Sequence, residues 1–311
     1  MDKIPQFVIA APASGSGKTM VARGLMRVLA RKGLRVQPFK CGPDYIDTKF
    51  HALACGTPSV NLDLFMASEA HVKALYAHYA QAKEACVVEG MMGLFDGYDR
   101  DKGSAAAIAE LLDLPVVLVV DAKSAAYSTA ALISGFLHFR PTLRFAGVLF
   151  NRVGSARHFG MLQEVCTDLK VPCLGYLPRD KRLEQSSRYL GLDFSQTEAE
   201  ETLDYLADLL EQHVALDRLF AERQTIRAVL TLLRFGFQSD RGRRDVGLLG
   251  RPVGAACSPR SVIRRDNEGA TRRPRSLPAR PSLRMAYRRS TRCRVFYLYL
   301  YATPRPAPTD G

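Results

Sequence analysis

Residues 11–19, which read Ala-Pro-Ala-Ser-Gly-Ser-Gly-Lys-Thr, decide which fold this sequence can adopt. The mostly apolar residues 7–11 lead into them, and the amphipathic residues 20–31 follow. Glycines between a strand and a helix let backbone amides approach an anion, and the new helix offers free N–H groups. The stretch therefore predicts a nucleotide-binding loop, although Ala11 and Pro12 replace the usual first glycine. A structural glycine turn is the alternative.

The individual residues of this loop have expected roles. Lys18 can reach the β- and γ-phosphates, and the hydroxyl of Thr19 can ligate Mg²⁺. No His/Asp pattern accompanies the serines, so we do not interpret them as nucleophiles. We expect ATP to contact Ser14, Gly15, Ser16, Gly17, Lys18 and Thr19.

Strand-like and helix-like segments alternate along the first 213 residues. This alternation predicts an α/β protein with a doubly wound, mostly parallel sheet, in which ligands bind at the carboxyl ends of the strands. We expect strands at residues 7–11, 35–40, 86–89, 114–121, 145–151 and 173–177. We expect helices at residues 18–32, 47–56, 68–83, from 104, 124–138, 156–169 and 196–213.

Acidic side chains follow several of the predicted strands. Mg²⁺ prefers oxygen ligands, and Glu89 directly ends an apolar strand, where it could ligate a metal or hold a water. Asp44 and Asp47 follow the second strand, so that one could complete the metal shell while the other orients substrate. Asp96, in a loop with three glycines, could position an attacking amine or acid. Bland turn or solvated roles remain the alternatives for all four.

The remaining candidates are basic or neutral side chains near strand ends. Lys40 could pair with the γ-phosphate or with a substrate carboxylate. Asp121 and Asn151 each end a strand, and the amide of Asn151 could bind adenine, with strand capping as the alternative. The histidines show no metal-ligand spacing, and we interpret His51, His138 and His158 as surface or helix residues.

The positive charge is concentrated in residues 221–311. The whole chain has a net charge of +13, but residues 221–311 hold 20 arginines, no lysine and six acids. The other 220 residues hold 24 of the 44 basic residues and 25 of the 31 acidic ones. We therefore expect residues 1–220 to form the folded domain and residues 221–311 to be a disordered or aberrant tail. An out-of-frame or damaged end is the favoured interpretation, and a nucleic-acid-binding arm is the alternative.

The cysteine pattern and the hydropathy bear on location. The seven cysteines are scattered without a Cys-x-x-Cys pair, which is typical of thiols in a reducing compartment. No segment approaches the roughly 18 apolar residues of a membrane span. The first residues lead straight into a strand, so no leader is expected. We expect a cytoplasmic protein that does not contact membranes.

Four blocks of this sequence resemble the cobyrinic acid a,c-diamide synthase family, which includes the hydrogenobyrinic acid enzymes of cobalamin biosynthesis. The blocks are residues 39–47 (Phe-Lys-Cys-Gly-Pro-Asp-Tyr-Ile-Asp), 61–63 (Asn-Leu-Asp), 88–97 (Val-Glu-Gly-Met-Met-Gly-Leu-Phe-Asp-Gly) and 174–179 (Leu-Gly-Tyr-Leu-Pro-Arg). The resemblance spans about residues 5–215.

The resemblance implies a phosphate-loop fold of the dethiobiotin-synthetase-like type and an amidoligase that uses ATP and Mg²⁺. A corrinoid acetate carboxylate would become an acyl phosphate, and ammonia would then give the amide, at the a and c positions of cobyrinate or hydrogenobyrinate. By position, Lys18, Thr19 and Glu89 would serve phosphate and metal, and Asn151 would serve adenine. The substrate, the metal and the intermediate would be served by Asp44, Asp47 and Asp96.

The resembled family continues into a glutamine amidotransferase domain with a catalytic Cys/His pair, and this sequence departs from that pattern. Cys257 does not lie on a Gly-x-Cys-x-Gly-like elbow, and no histidine follows His213. We expect that this chain does not hydrolyse glutamine and uses free ammonia at best. Its oligomeric state is left open, a homodimer included.

Three other interpretations of the chain stay open. The first is a dethiobiotin-synthetase-like enzyme, although residues 42–47 (Gly-Pro-Asp-Tyr-Ile-Asp) argue against it. The second is a partitioning-type ATPase with a basic nucleic-acid-binding tail. That class usually carries a second lysine where Ala13 stands, so we do not expect nucleic acid as a partner. The third is a truncated product without function.

Overall fold

The computed structural model describes residues 4–186, 196–221, 223 and 224. The arginine-rich tail that we expect from residue 221 onward, with Cys257, lies outside these residues except at 221, 223 and 224. The division of the chain at residue 220 therefore stays a prediction. Across the described residues, no helix combines the length and the apolar character needed to cross a membrane.

Strands and helices alternate along the described chain, as the sequence predicts. The strands are β1 Ile4–Ala10, β2 Val36–Cys41, β3 Val60–Leu62, β4 Ala85–Glu89, β5 Val116–Asp121, β6 Phe145–Val153, β7 Cys173–Pro178 and β8 Arg223–Gln224. The helices are α1 Lys18–Arg31, α2 Asp47–Cys55, α3 Glu69–Ala80, α4 Ala105–Leu111, α5 Thr129–Phe139, α6 Ala156–Asp168, α7 Lys181–Ser186, α8 Gln196–His213 and α9 Leu216–Ala221.

Strands β1 to β7 form one parallel sheet in the order β3-β2-β4-β1-β5-β6-β7. The short strand β8 pairs antiparallel with the start of β1. After β1 the chain builds β2 to β4 on one side and then β5 to β7 on the other, so β1 lies at the switch point where such sheets bind ligands. The expected doubly wound, mostly parallel sheet is confirmed.

Two apolar cores cover the two faces of the sheet. Side chains alternate along a strand, so Val8 and Ala10 lie in one core while Phe7 and Ile9 lie in the other. Helices α3, α4, α5 and α6 contribute to the first core, and α1, α8 and α9 contribute to the second. Both faces of the strands are covered, which explains their nearly continuous apolar sequences.

The structure departs from the predicted elements at several points. Four short elements were not predicted, namely β3, α7, α9 and β8. Each has only two to six residues, which is too few to show a periodic pattern of apolar residues. Helix α5 begins at Thr129 rather than at residue 124, where Ser124 has a left-handed φ of 60°. Helix α3 ends at Ala80 rather than at Lys83, and Ala82 is left-handed with φ 57°. A left-handed residue cannot continue a right-handed helix.

Candidate active site

The phosphate loop, residues 11–17, connects β1 to α1 and depends on its glycines for its shape. Gly17 has φ 101°, and a Cβ there would lie 2.1 Å from Nδ2 of Asn151. Asn151 reaches this point from β6 and donates a hydrogen bond to the carbonyl oxygen of Ser16 at 3.0 Å. The loop leads directly into α1, which begins at Lys18. The first N–H groups of a helix have no partner within the helix and can bind an anion.

Two polar side chains of this region fold back onto the loop. The Ser16 hydroxyl donates to the carbonyl oxygen of Ala13 at 2.9 Å, and Lys18 Nζ donates to the same oxygen at 3.3 Å. Burial lowers the pKa of Lys18, although the charge of Glu89 opposes that effect. Ser14 and Gly15 are exposed at the rim. Ser16 and Lys18 thus close the loop around the carbonyl oxygen of Ala13.

A carboxylate–lysine cluster (Lys40, Asp44, Asp47 and Glu89) adjoins the phosphate loop. Lys40 Nζ lies 2.5 Å from Asp47 Oδ2, 2.8 Å from Glu89 Oε1 and 3.7 Å from Asp44 Oδ2. The hydroxyl of Thr19 donates to the same Oε1 of Glu89 at 2.5 Å. Because Lys40 on β2 is the register partner of Glu89 on β4, the sheet itself brings these residues together.

Lys40 and Glu89 keep their charges although both are buried. Burial alone would raise the pKa of Glu89, but the hydrogen bond from His51 and the charge of Lys40 outweigh it and bring the pKa to about 2. Burial and the nearby charge of Glu89 raise the pKa of Asp47. Burial by itself would lower the pKa of Lys40, but Glu89 and Asp47 raise it above its ordinary value. Glu89 is therefore an anion and Lys40 a cation at neutral pH.

The interpretation of His51 as a helix residue is confirmed, but the alternative that it lies at the surface is wrong. His51 lies on α2 but is 0% exposed, and its Nε2 is 2.6 Å from Glu89 Oε2. Its Nδ1 is 2.9 Å from the hydroxyl of Ser59. Metal-ligand spacing is a local sequence signal, whereas this contact depends on α2 packing against β2, the strand next to β4. Nothing local in the sequence marks that packing.

Asp44, a member of the cluster, lies in the loop after β2, and Asp96 lies in the loop after β4. Asp44 Oδ1 accepts the backbone N–H groups of Ile46 and Asp47, both at 2.9 Å. Asp96 Oδ2 accepts the N–H of Gly93 at 2.9 Å and thereby shapes the loop after β4. Both carboxylates thus hold a turn. The roles in metal and substrate binding that we expect for them stay predictions.

The loop after β4 packs directly on the phosphate loop. The N–H of Leu94 donates to the carbonyl oxygen of Ala11 at 2.8 Å, and a Cβ at Gly93 would lie 2.7 Å from the carbonyl oxygen of Pro12. This contact places Asp96, which follows two residues later, beside the loop that would hold phosphate. The topology therefore gathers Lys18, Glu89 and Asp96 at one edge of the sheet.

A cavity of about 440 Å³ extends from the phosphate loop toward β7 and α8. Asn151 and Arg152 line it between the loop and an apolar part made of Pro178, Leu203 and Leu206. Arg152, which sequence reasoning missed, donates to the carbonyl oxygen of Gly15 at 2.6 Å and pairs with Asp121 at 2.7 Å. Of the predicted site residues, the lining includes Gly15, Gly17, Lys18, Thr19, Asp47 and Asn151.

Thr19, Asp47 and Glu89 are the side chains that could hold Mg²⁺. The Thr19 hydroxyl lies 2.5 Å from Glu89 Oε1, and Lys40 Nζ contacts both Glu89 Oε1 and Asp47 Oδ2. Among the described residues, no group of three or more His, Cys, Asp or Glu side chains is arranged to hold a metal by itself. Nucleotide-bound Mg²⁺ usually takes one or two carboxylates together with phosphate oxygens and waters. The oxygen donors present here fit that kind of site.

Comparisons with known proteins agree with this geometry. The chain is 46% identical over 228 residues to the cobyrinate a,c-diamide synthase of Listeria monocytogenes serovar 1/2a, covering 71% of this chain and 50% of that protein. It is 47% identical over 216 residues to the hydrogenobyrinate a,c-diamide synthase of Brucella anthropi, covering 68% of this chain and 50% of that protein. The chain thus spans about half the length of the curated relatives it matches.

Similarity to solved structures is weaker. The chloroplast FtsY of Physcomitrella patens overlaps with a TM-score of 0.45 at 15% identity, covering 65% of this chain and 66% of that one. The strand order and the phosphate loop carry the fold assignment instead. The sequence profile of the CobQ/CobB/MinD/ParA nucleotide binding domain matches residues 7–191. With its loop, its switch point and its relatives in agreement, the chain belongs to the CobQ/CobB/MinD/ParA nucleotide-binding domain family.

Proposed function

We propose that this chain is the ATP-dependent, carboxyl-activating part of a cobyrinate or hydrogenobyrinate a,c-diamide synthase. One observation carries the proposal: Thr19 of the phosphate region and Lys40 of the carboxylate–lysine cluster both contact Oε1 of Glu89. In this proposal, the phosphate loop and the carboxylate–lysine cluster form one continuous site. The curated relatives favour this activity over dethiobiotin synthesis or DNA partitioning.

In this proposal, ATP lies across the phosphate loop with its base in the apolar part of the cavity. Lys18 and the first N–H groups of α1 bind the phosphates, and Asn151 binds adenine. Thr19, Asp47 and Glu89 hold Mg²⁺, which supplies charge neutralisation at the phosphates. Lys40 has donors for both a carboxylate and a phosphate oxygen, so it suits the boundary between nucleotide and substrate.

The chemistry turns a carboxylate, which is a poor electrophile, into an acyl phosphate. A carboxylate oxygen attacks the γ-phosphorus and ADP leaves; the nitrogen of ammonia then attacks the carbonyl carbon and phosphate leaves with the former carboxylate oxygen. Lys18 and Lys40 offset the charge that develops on the transferring phosphoryl group. Asp44 and Asp96 orient substrate and the incoming amine, and the spare proton of the amine passes to solvent or to one of these carboxylates.

Exposed apolar side chains around the carboxylate–lysine cluster support a large, flat substrate. The loops after β2, β3 and β4 carry exposed Tyr45, Phe65 and Tyr98, and the rings of Phe65 and Tyr98 are 5.1 Å apart. Neighbouring strand positions in the sheet hold these three loops together at one edge. A corrinoid macrocycle with acetate arms matches an apolar rim that surrounds charged groups.

The proposal also includes an ammonia source, a cytoplasmic location and a possible homodimer. Ammonia reaches the site either free or from a glutaminase. The five cysteines of the described residues are free thiols, which supports a cytoplasmic location. A homodimer is one arrangement that would shield the apolar rim.

The proposal is tested by incubating the full chain with ATP, Mg²⁺, ammonium chloride and either cobyrinate or hydrogenobyrinate. We expect corrinoid-dependent ADP release and, by mass spectrometry, mono- and diamide products, both absent with Glu89→Gln. Glutamine in place of ammonium gives no product. ADP release that responds to a diamino acid but not to a corrinoid would replace the proposal with a dethiobiotin-synthetase-like activity.

A further inference from the structure

The buried histidine of α2 connects the carboxylate–lysine cluster to the strand beside it. His51 is 0% exposed and both of its ring nitrogens have a partner: Nδ1 lies 2.9 Å from Ser59 Oγ, and Nε2 lies 2.6 Å from Glu89 Oε2. Ser59 directly precedes β3. A chain of contacts thus runs from the edge of the sheet to its centre, where Glu89 is register partner to both Lys40 and Ile9.

The two oxygens of Glu89 have separate partners. Oε2 contacts His51, whereas Oε1 contacts Thr19 at 2.5 Å and Lys40 at 2.8 Å. A carboxylate can only accept, so Nε2–H of His51 is the donor in either protonation state of the ring. Because the carboxylate is fully buried, losing this donor would leave Oε2 desolvated and unpaired, and the group would rotate to find another partner.

We propose that His51 is a positioning residue that holds Oε2 of Glu89 so that Oε1 alone faces Thr19 and the nucleotide-bound metal. The inference rests on the proposed function only in that Glu89 helps to hold that metal. Ser59 completes the arrangement, because its hydroxyl fixes the rotation of the imidazole ring. Hydrogen-bond donors that contact a metal-ligating side chain, but not the metal, orient the ligand oxygens. Their loss typically lowers metal affinity roughly 10- to 100-fold.

The test compares His51→Leu with His51→Gln in the full chain. Glutamine can place an amide N–H near the position of Nε2, whereas leucine fills similar space without a donor. The measurement is the affinity of a fluorescent ATP analogue with and without Mg²⁺, together with the melting temperature. We expect His51→Leu to lose most of the Mg²⁺-dependent gain in affinity, about tenfold or more, with little change in the metal-free affinity. His51→Gln retains most of that gain.

A second variant keeps the test decisive if His51→Leu does not fold. Ser59→Ala frees the ring without removing it, and we expect a smaller loss of the Mg²⁺-dependent gain. The inference is overturned if leucine and glutamine at position 51 lower the melting temperature equally and leave the Mg²⁺ dependence intact. A wild-type chain whose nucleotide affinity ignores Mg²⁺ would overturn the metal site itself, and absent corrinoid amidation would overturn only the proposed substrate.

Discussion

The phosphate loop and the carboxylate–lysine cluster are built in different ways. The loop is a local structure of seven residues, and its shape comes from backbone conformation at Gly15 and Gly17. The cluster joins side chains that are up to 49 positions apart, Lys40 and Glu89, and it depends on the order of the strands. A local structure can be predicted from a motif, whereas an assembled one requires the fold. The same difference predicts how each region responds to substitution.

The largest expected effect is on the loop, with Gly17→Ala. A Cβ at this left-handed position would lie 2.1 Å from Nδ2 of Asn151, so either the amide of Asn151 must leave the carbonyl oxygen of Ser16 or the loop backbone must shift. We expect ATP affinity to fall about a hundredfold or more. Gly15→Ala is the matched control: its φ is 78° but no atom lies within 4 Å of the added Cβ. Strain alone predicts a loss of about tenfold there, and equal losses for both variants would contradict the close-approach argument.

The next effect breaks the cluster, with Glu89→Gln. Removing this charge leaves Lys40 buried without its partner on β4, at 2.8 Å, and leaves Asp47 as the nearest carboxylate to Lys40, at 2.5 Å. We expect the free energy of unfolding to fall by about 3 kcal/mol and Mg²⁺-dependent ATP binding to be lost, as measured by urea denaturation and by titration. Glu84→Gln, which removes an exposed pair with Arg35, should change neither quantity. Identical behaviour of the two variants would refute the buried-pair interpretation.

The cluster also gives the protein a pH dependence of known sign. The folded-state pKa of Glu89 is lowered to about 2, below its ordinary value of 4.5, so its contribution is present above pH 4.5 and is lost as pH falls toward 2. We expect the stability difference between the wild-type chain and Glu89→Gln to shrink steadily on acidification from pH 5. Denaturant titrations of both proteins at pH 7, 5, 4 and 3.5 measure it. A constant difference across this range would contradict the lowered pKa.

Two asparagine substitutions, one in contact with each region, should have smaller and different effects. Asn151 donates a hydrogen bond to the carbonyl oxygen of Ser16 in the loop at 3.0 Å. Asn61 donates one to the carbonyl oxygen of Asp44 in the cluster, also at 3.0 Å. Each bond is worth about 1 kcal/mol, or roughly fivefold in binding. Asn151→Ala should weaken metal-free ATP binding, whereas Asn61→Ala should spare it and weaken only corrinoid-dependent ADP release. If both variants changed the same step, the two regions would not be separable.

Much of this molecule follows from its sequence, because apolar periodicity marks the strands and helices that the two cores require. The sequence predicts the phosphate loop and the α/β alternation. It also predicts the candidates Lys40, Asp47 and Glu89, which lie together at one edge of the sheet. Each of these residues directly ends a strand or follows one, so a parallel sheet alone places it there.

The residues that sequence reasoning missed are those that reach the site through packing. His51 lies within a helix, and its contact with Glu89 depends on how α2 packs against β2, the strand next to β4. Arg152 follows a predicted strand, but its bond to Gly15 depends on β6 lying two strands from β1. Such contacts are set by strand order, which hydropathy does not encode. Short elements such as β3 escape for a different reason, since three residues show no period.

The central claim is that the loop and the cluster act together to activate a carboxylate with ATP. Corrinoid whose acetate carboxylates carry heavy oxygen tests it most directly, with the full chain, Mg²⁺ and ammonium, and mass analysis of the released phosphate. When ammonia displaces phosphate from an acyl phosphate, the phosphate keeps one oxygen of the former carboxylate. We therefore expect one released phosphate, carrying one heavy oxygen, for every amide that forms. Amide formation with phosphate free of the label would contradict the account.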